Sequence, residues 1–454
     1  MKFSKLPLPR FSAPPALFLA AVAGLFQPRA EEGVFEVGGA GWIQYGRVGN
    51  SSDPENGTDL DGNSIYSSGA QLSVQARISE RVDGVTGIGV AYGHTLPSAI
   101  TKNGGYAPAY LAPYVAEAYF TAHFIKEENS GFFLRGGLFP YSYNPEVRNL
   151  GSYLLRGPLY PGVLLSGFEE RNGFAVASMV GVQLHNRSGS FQQDLIVNSE
   201  TDFFPYFDLS VAYVANCNFS SAFRLGGGVN FYHLIPITDS ITSGKWDVGH
   251  STFVDSIGAN PDGTPINDST LIGFSGTKLM VNAAFDPKLL FGGPGILGAE
   301  DLKIYGEIAL LGLDNGPAYK KLYGDYLHRM PMMIGLNLPM FGFLDRLAFE
   351  TEWYGSPVKD DLAGFNHTAS SHQNALPLKD ANGKYINYKR DNWKWSLYGS
   401  RIVQGHVRIS FQVANDHFRP GIYTGDGDNN APGSQALMTT PKDWYTMFKV
   451  AYFF

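Results

Sequence analysis

The chain has 454 residues, with 34 Lys+Arg against 41 Asp+Glu, 54 glycines, 14% aromatic residues and one cysteine. Its acidic balance leaves no basic surface of the kind that binds nucleic acid. The single Cys217 cannot close an internal disulfide, and no run after the amino terminus is apolar enough for a transmembrane helix.

The amino terminus reads as an export signal over residues 1–30. Lys2, Lys5 and Arg10 give a basic start, residues 16–26 form an apolar core too short to span a bilayer, and a cut after Ala30 is plausible beside the awkward Pro28 and Arg29. Removing that segment takes four basic and no acidic residues, so 30 basic and 41 acidic remain, a net charge of −11. Residues 31–454 show no linker and no shift of composition.

From there the chain is a succession of alternating strands broken by clusters of Gly, Pro, Asn, Asp and Ser. The reading gives Val34–Gly46, Gly69–Val82, a tight turn at Val82-Asp83-Gly84, Val85–Thr95, Tyr114–Phe124 and Phe132–Phe139. In Gly69–Val82, Ala70, Leu72, Val74, Ala76 and Ile78 alternate with Gln71, Ser73, Gln75 and Arg77. In Tyr114–Phe124, the expected outward set is Ala116, Ala118, Phe120, Ala122 and Phe124, with Glu117, Tyr119, Thr121 and His123 on the other face. Then come Gly173–Leu184, Phe191–Ser199, Phe207–Asn216, Ala222–Leu234, Gly276–Phe285, Leu302–Leu313, Arg329–Pro339, Arg346–Tyr354, Trp393–Ile402, His406–Asn415 and Trp444–Phe454. The count is about 16. Connections tend to alternate long and short, with Glu200–Tyr206 the short exception on the long side and Pro287–Asp301 the longer one on the short side. In lipid only a closed barrel satisfies every strand's backbone, and sorting of loop length by parity is a barrel's signature. The expected fold is therefore all-β: an antiparallel up-and-down transmembrane barrel.

The last strand places Trp444, Thr446, Phe448, Val450, Tyr452 and Phe454 on one face, and ends in Tyr452-Phe453-Phe454. That closing Tyr-x-Phe, on a chain of this topology, resembles bacterial outer-membrane porins of about 16 strands, in which the terminal aromatic serves the assembly signal. The resemblance covers the mature chain by topology and the closing strand by motif, and identifies no subfamily. It implies an outer-membrane location, passage of small hydrophilic solutes or ions, contact with outer-membrane lipid and the barrel assembly machinery, and a homotrimer. It also implies that the third long connection, residues 140–172, folds into the pore.

The inner faces mix charges, which cost little when they line water. Arg77, Arg135, Arg224, Lys278, Lys303, Lys394, Arg408 and Lys449 are basic; Glu117, Asp208, Glu307, Glu350 and Glu352 are acidic. With Glu146, Arg148 and Arg156 of the third connection they are the candidate pore-lining and constriction residues; solvated wall residues, or an ordinary external loop, are the alternatives. Glu169, Glu170, Arg171 and the tyrosines Tyr141, Tyr143, Tyr153 and Tyr160 belong to the same stretch. Asp59, Asp61 and Asn63, and Asp426, Asp428 and Asn430, offer alternate oxygen ligands that suit calcium, without the Gly and distal Glu placing of an EF-hand. The signal is weak, and a solvated turn is the reading favoured over calcium. No cofactor is otherwise implied. No Gly-x-Ser-x-Gly, His-Glu-x-x-His or P-loop occurs, and His94, His123 and His185 assemble no triad. An outer-membrane hydrolase and a structural or adhesive barrel with a closed lumen stay open as other readings.

Overall fold

A computed structural model describes residues 35–53, 58–94, 96–97, 109–157, 164–167, 177–199, 207–235, 237, 250–259, 265–273, 276–292, 295–313, 325–355, 393–418, 422–423, 438 and 440–454. Sixteen strands close one antiparallel barrel. We number them β1 Phe35–Asn50, β2 Ser64–Ser79, β3 Val82–His94, β4 Ala109–Lys126, β5 Ser130–Tyr141, β6 Ala177–Ser188, β7 Phe191–Ser199 and β8 Leu209–Asn218. The circuit continues through β9 Phe223–Ile235, β10 Gly276–Phe285, β11 Ile304–Leu310, β12 Met332–Asn337, β13 Arg346–Trp353, β14 Trp393–Val403, β15 Val407–Asn415 and β16 Trp444–Phe453. Every strand pairs with its chain neighbours, and β16 returns to β1, so no edge is left open. Within the connection from β9 to β10, His250–Ala259 and Pro265–Gly273 form a separate two-stranded hairpin.

Closure is carried by the register Ala40↔Phe453 through Arg47↔Thr446. Beyond the last pair, the Phe454 N–H donates to the Gly39 carbonyl at 3.1 Å and the Gly39 N–H donates back to the Phe454 carbonyl at 3.0 Å. The Phe454 ring lies where a Cβ on Gly39 would sit, so the glycine lets the aromatic lie flat on the seam.

Alternation sorts the side chains. On β16, Trp444, Phe448, Val450 and Tyr452 are exposed outward, while Tyr445, Met447, Lys449 and Ala451 are buried inside. Elsewhere on the outer face Leu195, Val281, Ile334 and Phe349 are exposed in the same way. An outward apolar band with a polar interior is the arrangement of a barrel that spans lipid. Trp353 and Trp393 face each other in register across β13 and β14, with ring centroids 5.2 Å apart, at the ends of their strands where the long loops begin.

Three local expectations are corrected. The turn between β2 and β3 is Glu80-Arg81, not Val82-Asp83-Gly84; Asp83 is already in the ladder opposite Thr121 and accepts from His123 Nε2 at 3.1 Å. Ala116 does not face outward. The register slips between Gly87 and Ile88 against β4, so Val115 and Ala118 point out while Ala116 and Glu117 turn away from that face, and Ala116 is buried. Finally, β11 and β12 are shorter than the readings Leu302–Leu313 and Arg329–Pro339: Tyr326–Arg329 is a 3-10 turn and Pro331 has no N–H to give the ladder.

Deleting Phe454 removes the two backbone bonds that end the seam beyond the β1–β16 register. The expected outcome is a lower yield of folded, heat-modifiable barrel on gels run without boiling; normal yield would mean the seam needs no closing aromatic. Brominated lipids should quench Trp353 and Trp393 fluorescence, and quenching by aqueous agents alone would reverse the facing of β13 and β14.

Candidate functional site

The third long connection leaves β5 at Tyr141 and turns inward. Its described parts, 142–157 and 164–167, lie against the inner faces of β7 to β13, with their hydrogen bonds on β9 to β13. Apolar side chains do part of this. Tyr143, Val147, Leu150, Tyr153, Leu154 and Leu164 are buried together with Ile196, Ala212, Val214, Met280, Tyr305 and Met333 from the inner wall. At roughly 1.5–3 kcal/mol for each large apolar side chain removed from water, such contacts favour a loop inside the barrel over one in solvent.

Three wall carboxylates fix its path. Glu350 on β13 accepts from the backbone N–H groups of Arg148, Asn149 and Leu150 at 2.6, 2.8 and 2.8 Å, and from the Tyr305 hydroxyl at 2.9 Å. Successive N–H groups converging on one carboxylate form a nest for an anion. Glu307 on β11 accepts from Tyr143 Oη at 2.7 Å, Asn144 Nδ2 at 3.1 Å and the Tyr153 N–H at 2.8 Å. Glu352, two positions along from Glu350, takes the Tyr153 hydroxyl at 2.9 Å and lies 2.6 Å from His417 Nε2. The loop reaches this geometry by a tight bend: Gly151 and Ser152 both have positive φ, 91° and 56°, and a Cβ on Gly151 would crowd Met333 and Val147. Burial, helped by Glu352 and Glu307, pushes the Tyr153 phenol well above its ordinary range, so it stays a hydrogen-bond donor.

A second set of contacts ties the loop to the segment after β15. Asn149 Nδ2 donates to Asp416 at 2.5 Å, and Asn149 Oδ1 accepts from the Gly167 N–H at 2.8 Å. Arg156 Nη1 reaches the Asn149 carbonyl at 2.6 Å, and the His417 N–H reaches Ser166 Oγ at 2.8 Å. Asp416 also takes the Tyr445 hydroxyl at 2.8 Å. Burial raises the Asp416 carboxyl above its usual range, while its bonds from Asn149 and Tyr445 hold it down. Lys278 Nζ caps the Gly157 carbonyl at 2.6 Å, and Asn230 Nδ2 the Leu154 carbonyl at 3.1 Å.

Several expected pore-lining charges therefore have a different environment. Glu307, Glu350, Glu352 and Lys278 are buried under the loop, and Lys394 is buried against the Met438 carbonyl; none of the five faces open water. Asp208 is buried on His233. Glu146 lies 3.5 Å from Lys303, which also pairs with Glu300. Arg148 turns back on the Pro145 and Val147 carbonyls, and Arg224 on Asn144. Arg408 lies over Phe453 and Lys449 over Trp42.

The opposite wall is different. On β2, Gln75 and Arg77 are exposed, and Glu117 on β4 is half-buried with a bond from Ser73. A cleft of about 320 Å³ there is lined by Glu36, Ser73, Gln75, Glu117 and Tyr119, among others. Arg135 on β5 stands next along this wall, bonded to Thr121 at 3.3 Å and Gln183 at 3.5 Å. The loop thus takes one side of the lumen, and a mixed-charge wall of β2, β4 and β5 faces the remainder. Asn149, Asp416 and His417 were not singled out from the sequence. A lone Asn in a loop and an Asp-His pair at a strand end carry no spacing signal, since their longer-range partners lie 18 to 267 positions away with no common interval.

Among the described residues no cluster of three His, Cys, Asp or Glu could hold a metal. Asp61 accepts the Ser51 N–H at 2.7 Å, as a turn residue does. The side chain of Asp59, and Asp426, Asp428, Tyr160, Glu169, Glu170 and Arg171, lie outside the described residues, as does the His94 side chain.

Fold and site together define a class: a 16-stranded transmembrane β-barrel with an inward-folded third loop. No family description matches this sequence, and no curated protein matches it. Among solved structures the chain is similar, over 92% of its length, to engineered variants of the Rhodopseudomonas blastica porin, at 10% identity and TM-score 0.43 over the whole of that chain. It is similar over the same share to Salmonella typhi OmpF in complex with daunomycin, at 9% identity and TM-score 0.44 over 97% of that chain. The functional reading rests on this chain's own geometry.

Glu350→Gln presents an amide N–H₂ to converging donors and strands buried N–H groups at about 1–3 kcal/mol each. The loop is expected to lose about 3 kcal/mol or more, a drop of over a hundredfold in amide-exchange protection at residues 148–150. Unchanged protection would mean that the apolar contacts alone hold the loop.

Proposed function

We propose that this chain is a bacterial outer-membrane porin that lets small hydrophilic solutes and ions diffuse through a narrowed, charged lumen. The carrying observation is the asymmetry of the interior: a loop fastened along β9 to β13, facing a polar wall on β2, β4 and β5. Solutes would be sorted by size and by the field of wall charges, which low-dielectric surroundings focus. No covalent step and no cofactor is needed. Residues 1–30 would direct export, the closing Tyr452 and Phe454 would serve the assembly machinery, and three copies would pack in the membrane.

Planar-bilayer recording of the purified barrel tests this. Stable single-channel steps in potassium chloride are expected, and a folded barrel with no conductance would sink the reading. Shortening residues 143–165 should raise conductance and admit larger sugars, because it removes the material on one side of the lumen. Arg135→Glu should move the reversal potential toward cation preference at low salt, an effect that fades as the Debye length falls to roughly 3 Å at 1 M salt. If neither variant differs from the parent, the loop and Arg135 do not border the conducting path.

A further inference from the structure

Arg135 is unlike the other wall cations. Its guanidinium carbon lies 4.9 Å from the Tyr119 ring centroid, 5.2 Å from Phe133 and 5.8 Å from Phe139. Nε donates to Thr121 Oγ1 and Nη1 to Gln183 Oε1, so the group is oriented by two neutral acceptors on flanking strands. Among the described residues no carboxylate pairs with it. Phe133 is itself stacked on His185, centroids 4.5 Å apart and planes within 20°, and His185 is held by Asp194 at 2.8 Å.

Three carboxylates stand near Arg135 on this wall, and each is engaged elsewhere; Asp83, in register with Thr121, lies 3.1 Å from His123 Nε2. Asp194 takes Tyr141 Oη at 3.0 Å, Gln183 Nε2 at 2.7 Å and His185. Glu117 takes Ser73 Oγ at 2.9 Å. A guanidinium has five N–H donors in a fixed plane, and only two are spent here. The remaining donors match one carboxylate, and ring faces beside the cation both stiffen it and favour a flat apolar group next to the bound anion.

We infer that Arg135, with the partly exposed rings of Tyr119 and Phe133 and the buried Phe139 backing the cation, forms a subsite on the inner wall for an aromatic monocarboxylate. The neighbouring Asp194 and Glu117 select against a second negative charge, because a dianion would meet uncompensated like charge. The subsite rests on the channel reading only in so far as solutes reach it through the lumen; the binding itself does not require conduction.

Equilibrium dialysis of the folded full chain in detergent, with labelled benzoate, measures the site without a bilayer. Saturable binding is expected, with benzamide, acetate and phthalate each weaker by about tenfold or more, since each lacks the charge or the ring, or carries a second charge. Arg135→Lys keeps the charge but loses the planar fork and should weaken benzoate binding by about tenfold. Phe133→Leu, which leaves every charge in place, should weaken it by a smaller factor. In bilayers, benzoate should reduce the single-channel current more than benzamide does. Equal binding of benzoate and benzamide, or an Arg135→Lys variant that binds like the parent, overturns the subsite. Conductance in chloride with no benzoate binding leaves the channel reading standing and removes the subsite; binding without conductance does the reverse.

Discussion

The Glu350 carboxylate, closed over by three successive loop N–H groups, is the contact on which the interior depends. A carboxylate taken out of water is tolerated only where charge-assisted hydrogen bonds replace its hydration. Equally, the loop backbone can leave water only where its own donors find acceptors. Each half supplies what the other lacks. Glu307 and Glu352 repeat the arrangement with Tyr143, Asn144 and Tyr153. The result is a polar seam along β11 and β13 with an apolar layer beside it.

That seam decides what the rest of the lumen can be. With the loop held against β9 to β13, the charges beneath it become structural and leave the solvent-facing set. The wall of β2, β4 and β5 keeps its charges in contact with water, and there the exposed Arg77, the half-buried Glu117 and the ring-flanked Arg135 stand. A charge near water acts over the lumen; a charge buried among its donors acts only on them. The same residue type thus does two jobs in one barrel, and burial separates them. Asn149 extends the hold, since its side chain and backbone together join the wall, the loop's return at Gly167 and the segment after β15.

Much of the barrel was legible from the chain alone. Strand alternation is a local property, with period two, and an outward side chain in lipid must be apolar; so β16 could be read face by face. Alternation gave the strand count, and the parity of loop length gave the barrel. The errors were local as well. Asp83-Gly84 has the composition of a turn, yet the hairpin turned two residues earlier, where Asp83 could meet His123. The bulge at Ala116 could not be seen, because one extra residue in a ladder changes no composition and reverses every side chain before it.

The resemblance carried by the closing strand implied that residues 140–172 fold into the barrel, and the sequence carried that much. It showed Glu307, Glu350 and Glu352 as inward charges too, because parity is written in the strand. Whether an inward charge meets water or a loop was decided only by the tertiary structure. Its partners at residues 143–153 are brought to it across about 150 to 200 positions of chain, and hydrogen bonding over that separation leaves no periodicity to read. The free edge of Arg135 belongs to the same class: alternation places the cation on the inner face, and only the closed circuit of strands shows that no carboxylate among the described residues comes to meet it.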